Sequence, residues 1–163
     1  MIQWNGKTAV VTGAAGQDGS YLVELLLEKG YRVYGIVRRT SLQSYPRLKD
    51  CINHRRLYLE EGDITDYSYI FSLVSRVKPD EYYNLAAQSH VFTSFTQPTL
   101  TWNSVAESCL IALEAIKMFS PETRFYQASS SEMFGDRISD IIVGEDRFKG
   151  QKEDTGFNPQ SPY

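Results

Sequence analysis

Short apolar runs alternate along the chain with longer stretches whose apolar residues recur every three or four positions. Residues 8–12 (Thr-Ala-Val-Val-Thr) form a continuous run, the pattern of a parallel strand covered on both faces. Leu22, Leu25, Leu26 and Lys29 then mark a helix face, with Glu24 and Glu28 outside it, and Gly30 ends that helix. Residues 31–37 predict a second strand, so the chain opens with one βαβ unit. Residues 42–54 read as a helix or an ordered loop, and residues 56–61 alternate as a third strand. Asp66 is placed to cap a helix whose face is Ile70, Leu73, Val74 and Val77, and Pro79 stops it. Residues 81–87 predict a fourth strand, 95–98 a turn and 102–119 a long helix. The apolar face of that helix reads as Val105, Cys109, Leu110, Leu113 and Ile116, and residues 123–128 follow as a fifth strand. Residues 136–160 carry glycines, Pro159 and many charges. They are predicted as an irregular surface loop, with at most a short ordered piece around 138–143. This order of elements predicts an α/β fold built on a doubly wound parallel sheet.

Composition narrows the picture only a little. With 163 residues, 42% of them hydrophobic and 23% charged, the chain suits one globular domain with a proper core. A net charge of −3 without a basic block argues against nucleic acid and against an anionic membrane surface as partners. No apolar run is long enough to span a bilayer, and the first residues lack the features of a signal peptide, so a cytoplasmic protein is expected. Cys51 and Cys109 lie far apart and near no His/Cys cluster, which predicts two reduced thiols and no metal site.

The candidate chemistry begins at Gly13, Gly16, Gln17, Asp18 and Gly19, where the first strand gives way to the first helix. Three glycines in that context allow a sharp turn, close approach of a pyrophosphate and close packing of helix on strand. The N–H groups at the helix start then face the anion. The alternative is a tight strand-to-helix turn with no ligand. At the end of the second strand an NAD site usually carries an acidic residue for the ribose 2′-hydroxyl. This chain carries Arg38, Arg39, Thr40 and Ser41 instead, a set suited to a 2′-phosphate, and NADP is favoured over NAD. Asp63 can accept from an adenine amino group while Ile64 packs on the ring; Asp63 as a simple cap is the alternative. Leu85, Ala86 and Ala87 close the fourth strand, with Ser89 just beyond, where small residues admit a ribose or nicotinamide. His90 reads as a structural or substrate-edge residue. Ser129, Ser130, Ser131 and Glu132 follow the fifth strand, at the sheet end where such folds bind ligands. A polar loop or a serine cap is the plainer reading of that run.

Together these residues resemble the GDP-mannose 4,6-dehydratase family of the extended short-chain dehydrogenase/reductase superfamily, with its NAD(P)-binding Rossmann fold. The resemblance rests on Thr12-Gly-Ala-Ala-Gly-Gln-Asp-Gly-Ser-Tyr-Leu22, Gly35-Ile-Val-Arg-Arg39, Gly62-Asp-Ile-Thr-Asp66, Pro79-Asp-Glu-Tyr-Tyr-Asn-Leu85 and Ser161-Pro-Tyr163. It implies NADP as cofactor, GDP-mannose as substrate and a homo-oligomer, dimer or tetramer. It also implies catalytic roles for Ser130, Glu132 and Tyr163. In the implied reaction hydride passes from C4 of the hexose to NADP⁺ while Tyr163 takes the O4 proton beside Ser130. Glu132 then removes the C5 proton, water leaves from C6 and the hydride returns there.

The resemblance further implies residues 1–163 as an NADP-binding domain, truncated before the substrate-binding half, with little activity alone. The lysine that lowers the tyrosine pKa in the family lies beyond Tyr163. The stretch 135–151 is longer than the family usually has, Ser108 stands where a glycine is usual, and Leu100 stands where a tyrosine near the cofactor is usual. Ser131-Glu132 resembles the GDP-mannose branch more than its dTDP-glucose relatives. Another nucleotide-sugar epimerase or dehydratase, or a non-catalytic NADP-binding module, are the rival readings.

Overall fold

A computed structural model of the protein describes residues 3–41 and 44–163. Five parallel strands form the central sheet: β1 (Thr8–Thr12), β2 (Arg32–Val37), β3 (Leu57–Glu61), β4 (Glu81–Asn84) and β5 (Arg124–Gln127). Their order is β3-β2-β1-β4-β5, so the chain winds outward from β1 in one direction and then, from β4, in the other. The helices are α1 (Gln17–Glu28), α2 (Tyr67–Val77), the short α3 (Val91–Thr96) and α4 (Pro98–Trp102), and α5 (Ser108–Phe119). A single π-turn, Asn103–Glu107, joins α4 to α5. Where the sequence predicts a turn at 95–98, the chain breaks between α3 and α4 at Gln97, with Pro98 starting the new helix.

Strand alternation divides the core between the two sheet faces. Ala9, Val11, Val33 and Val37 face one side and meet Val23, Leu26 and Leu27 of α1. Val10, Ile36 and Tyr82 face the other and meet Ile70, Leu73 and Val74 of α2 with Ile111, Ala112, Ala115 and Ile116 of α5. Asp66 caps α2, its carboxylate accepting from Tyr69 N–H at 3.1 Å. No helix among the described residues is long and apolar enough to cross a membrane.

The clearest departure from the sequence pattern is at 136–160, predicted as an irregular loop. It contains an antiparallel hairpin, β6 (Ser139–Val143) and β7 (Asp146–Gly150), turning at Gly144 and Glu145. The predicted short piece at 138–143 is one arm of it. The other arm, Asp-Arg-Phe-Lys-Gly, is too charged to read as a strand, and it pairs because the tight turn aligns it. Residues 42–54 hold a 3-10 turn, Pro46–Leu48, with Leu42 and Gln43 outside the described residues.

Candidate functional site

The C-terminal ends of β1 and β4 diverge because the connections that follow them leave toward opposite faces, and a crevice opens between them. A buried chain of hydrogen bonds fixes its walls. Thr12 Oγ1 donates to Asn84 Oδ1 at 2.8 Å and accepts from the N–H groups of Leu85 and Ala86, each at 3.1 Å. Asn84 Nδ2 in turn donates to Gln127 Oε1 at 2.8 Å. One residue from each of β1, β4 and β5 thus sets the exit directions of the loops that line the crevice.

The crevice is a cavity of about 730 Å³. Of the residues singled out in the sequence, Gly13, Gly16, Gln17, Asp18, Gly19, Arg38, Asp63, Ile64, Leu85, Ala86, Ala87 and Ser89 line it. Arg39, Thr40 and Ser41 are exposed just beyond Arg38 and lie outside the lining. One wall is the start of α1. Gly16 occupies the cap position without a side-chain hydrogen bond, so the first-turn N–H groups have neither an intrahelical nor a side-chain partner. Gly19 meets the Gly13 carbonyl so closely that any Cβ there would collide with it. This draws the helix start down onto the turn. Free donors at a helix N-terminus on the wall of a roomy cavity fit the pyrophosphate of a dinucleotide.

Asp63 lines the cavity from the loop that follows β3. Its Oδ1 accepts from Thr65 N–H at 2.9 Å and Thr65 Oγ1 at 2.7 Å. Those two bonds, aided by the Arg38 guanidinium, hold the Asp63 carboxyl below the ordinary aspartate range. Asp63 therefore makes a local turn and still presents a charged carboxylate to the cavity, while Asp66 does the helix capping.

The structure adds Ile36, Gly62, Thr65, Gln88, Ser104 and Ala128 to the lining, and Leu100 lines it too. Gln88 sits among residues already singled out, and its neighbours were the signal for it. Its Nε2 donates to Thr101 Oγ1 and to His90 O, both at 3.1 Å, tying the β4 loop to α4. Leu100 reaches the cavity from α4, at the position the family resemblance sets near the cofactor, and Ser104 reaches it from the π-turn, for which the sequence has no local signal. Single π-turns inside helices are frequent at functional sites. His90 is a capping residue, its Nδ1 accepting from Thr93 N–H at 3.3 Å.

Ser130, Glu132 and Tyr163 lie outside the cavity lining; Ser130 and Glu132 follow Ala128 just beyond the C-terminal end of β5. Ser129 has φ +59, a left-handed conformation that costs a serine backbone strain and turns the chain off β5. Ser130 Oγ accepts from Glu132 N–H at 3.0 Å and so starts the 3-10 turn Ser131–Phe134. Ser130, Glu132 and Tyr163 are all half-buried. Cys51 and Cys109 are free and half-buried, and burial pushes both thiols up.

Comparison with known proteins bears on the family and the fold. The sequence model of the family described as GDP-mannose 4,6 dehydratase matches residues 10–163. The GDP-mannose 4,6-dehydratase of Yersinia enterocolitica is 44% identical over 164 residues, covering 96% of this chain and 42% of that protein. GDP-mannose 4,6 dehydratase 1 of Arabidopsis thaliana is 43% identical over 167 residues, covering 96% of this chain and 44% of that protein. The chain thus spans less than half the length of these relatives. Among solved structures, the UDP-Glc/GlcNAc 4-epimerase of Campylobacter jejuni superposes with a TM-score of 0.81 at 20% identity, over 97% of this chain and 45% of that one. The Bordetella bronchiseptica enzyme WbmH, crystallised with NAD⁺, superposes with a TM-score of 0.75 at 25% identity, over 96% of this chain and 48% of that one. The epimerase likeness concerns the fold, whereas the family match runs through the crevice and the 3-10 turn to Tyr163: the chain belongs to the GDP-mannose 4,6-dehydratase family.

Proposed function

We propose that this chain is the NADP-binding part of an enzyme that converts GDP-mannose to GDP-4-keto-6-deoxymannose, a precursor of GDP-fucose and related deoxysugars. The observation that carries the reading is one cavity at the C-terminal ends of the strands, lined together by the uncapped start of α1, by Arg38 and Asp63 beyond β2 and β3, and by residues 85–89 beyond β4. Gly13, Gly16, Gln17, Asp18 and Gly19 cradle the pyrophosphate. Asp63 and Ile64 take the adenine. Arg38, with Arg39, Thr40 and Ser41, takes the 2′-phosphate by charge-assisted bonds. Leu85, Ala86, Ala87 and Ser89 border the nicotinamide ribose.

The bound nicotinamide supplies a reversible hydride acceptor, and the remaining work falls to side chains. Tyr163 takes the proton of the sugar O4, and Ser130 Oγ hydrogen-bonds the same oxygen. Glu132 removes the C5 proton, which the neighbouring keto group has made acidic, and water departs from C6. The enzyme works in the cytoplasm as a homo-oligomer.

The test is to supply GDP-mannose and NADP⁺ to the enzyme that carries this chain as its NADP-binding part and follow the keto sugar. Glu132→Gln abolishes keto-sugar formation by about a hundredfold or more, in the range of a lost general base, and leaves NADPH affinity unchanged. Product formation that survives in Glu132→Gln, or a product that keeps its C6 hydroxyl, sinks the reading.

A further inference from the structure

Glu132 sits on a four-residue 3-10 turn that hangs from β5, an edge strand of the sheet. The bonds within the turn are local: Glu132 N–H to Ser130 Oγ, and Gly135 N–H to Glu132 O at 3.2 Å. A turn this short does not hold a direction by itself. The chain then leaves through β6 and β7 and returns, and on its return Asn158 grips the turn on both sides. Asn158 N–H donates to Met133 O at 2.9 Å, and its Nδ2 donates to Asp136 Oδ1 at 2.7 Å. Its carbonyl oxygen lies against Gly135, at φ +57, so tightly that a Cβ at that position would strike it. Beside it, Phe157 packs on Phe134 with ring centroids 5.3 Å apart. Gln151 Nε2 reaches the carbonyl oxygens of Gly135 and Arg137, each at 3.3 Å.

We infer that Asn158 is the positioning residue for the Glu132 carboxylate: it clamps Met133 and Asp136 together across the turn, so the segment after the hairpin sets where Glu132 points. The inference rests on the proposed role of Glu132 in removing the C5 proton. The hairpin between the two ends of the clamp is then an excursion from the site, and the irregular segment that returns from it is part of the site.

The pair Asn158 and Asp136 allows a test with a built-in rescue. Asn158→Asp sets two carboxylates against each other. Adding Asp136→Asn remakes the hydrogen bond with donor and acceptor exchanged. Two quantities are read: amide hydrogen exchange at Met133, Gly135 and Arg137, and kcat against KM for GDP-mannose. Asn158→Asp speeds exchange at these amides about tenfold and lowers kcat about tenfold, the loss of one bond to a charged group. KM and NADPH affinity stay within about twofold, and the double variant restores both readouts to within about threefold. Protection of Val10 and Val33 in the sheet stays as in the wild type, which separates loosening of the turn from unfolding. If Asn158→Asp does not fold, Asn158→Ala removes only the Asp136 bond and gives about fivefold in the same direction. Unchanged exchange at Met133 and Gly135, exchange that the double variant does not restore, or a lowered kcat with no change at the turn overturns the inference. A wild-type enzyme that carries this chain as its NADP-binding part and makes no keto sugar contradicts the proposed reaction instead, and the exchange measurements still decide the clamp.

Discussion

The crevice between β1 and β4 and the excursion at 136–160 are built on opposite principles. The crevice walls leave a sheet covered on both faces, and its loops are fixed by the buried Thr12–Asn84–Gln127 chain. The excursion leaves from the edge strand and forms a two-stranded hairpin whose Ile142 and Phe148 are exposed. It is held at its root by side-chain bonds from Gln151, Thr155 and Asn158. The crevice, to which we assign the dinucleotide, therefore inherits the rigidity of the fold. The half that carries Glu132 depends on a handful of bonds outside it.

Removing the buried hydroxyl is the strongest way to break this contrast. Thr12→Val keeps the shape but leaves Asn84 Oδ1 and the N–H groups of Leu85 and Ala86 without their partner. A loss of about 2–3 kcal/mol in unfolding free energy is expected, as for buried polar groups stripped of hydrogen bonds, together with weaker NADPH binding. Denaturant melts and a cofactor titration check both. A fully stable variant with wild-type affinity would show that the chain of bonds does not fix the crevice.

The next effect is one of pH and belongs to the sheet side alone. Burial, helped by the nearby Glu60 carboxylate, pushes the Tyr69 phenol up to about 12 from an ordinary 10. Burial also raises Tyr82, and raises Tyr83 together with its hydrogen bond to Glu81. Because these folded values lie above the unfolded one, the stability they contribute is complete below about pH 10 and is lost as pH climbs through the folded values. Absorbance titration of the 11 tyrosines should show these three lagging behind the rest, with unfolding stability falling from about pH 10 upward. Tyrosines that all titrate together near 10 in the folded protein would remove the distinction.

The smallest effect is expected in the excursion. Replacing 139–150 with a short glycine-serine link should change sheet stability by less than about 1 kcal/mol, since an isolated hairpin is marginal in water. Amide protection in β1 and β2 reports this directly, and a large loss there would make the hairpin part of the fold.

Much of the sheet was legible because parallel strands buried on both faces read as apolar runs. The helix faces were less so. Leu25 reads as buried and is 46% exposed, while Gly19, Ser20 and Val23 of α1 turn inward. In α5, Leu110 and Leu113 read as the core face, yet they are 58% and 42% exposed. Ser108, Ala112 and Ala115 face the sheet in their place, because small side chains let the helix approach closely. The π-turn is the other cause: it inserts a residue, rotates the helix that follows, and no single 3.6-residue frame runs from 102 to 119. It also brings Ser104 to the cavity, as no spacing rule foretells. That the glycines, Arg38, Asp63 and the small residues after β4 meet at one cavity was legible because each follows the C-terminal end of a parallel strand. The clamp on Glu132 was not, since it joins positions separated by an excursion of unrelated length.

The most direct measurement is a side-by-side titration of the wild-type chain and Arg38→Ala with NADPH and NADH. One NADPH per chain is expected, bound about tenfold or more tighter than NADH, and Arg38→Ala should weaken NADPH by about tenfold while leaving NADH as it was. No saturable binding of either nucleotide, or a wild-type preference for NADH, would contradict the assignment of the crevice to a dinucleotide bearing a 2′-phosphate.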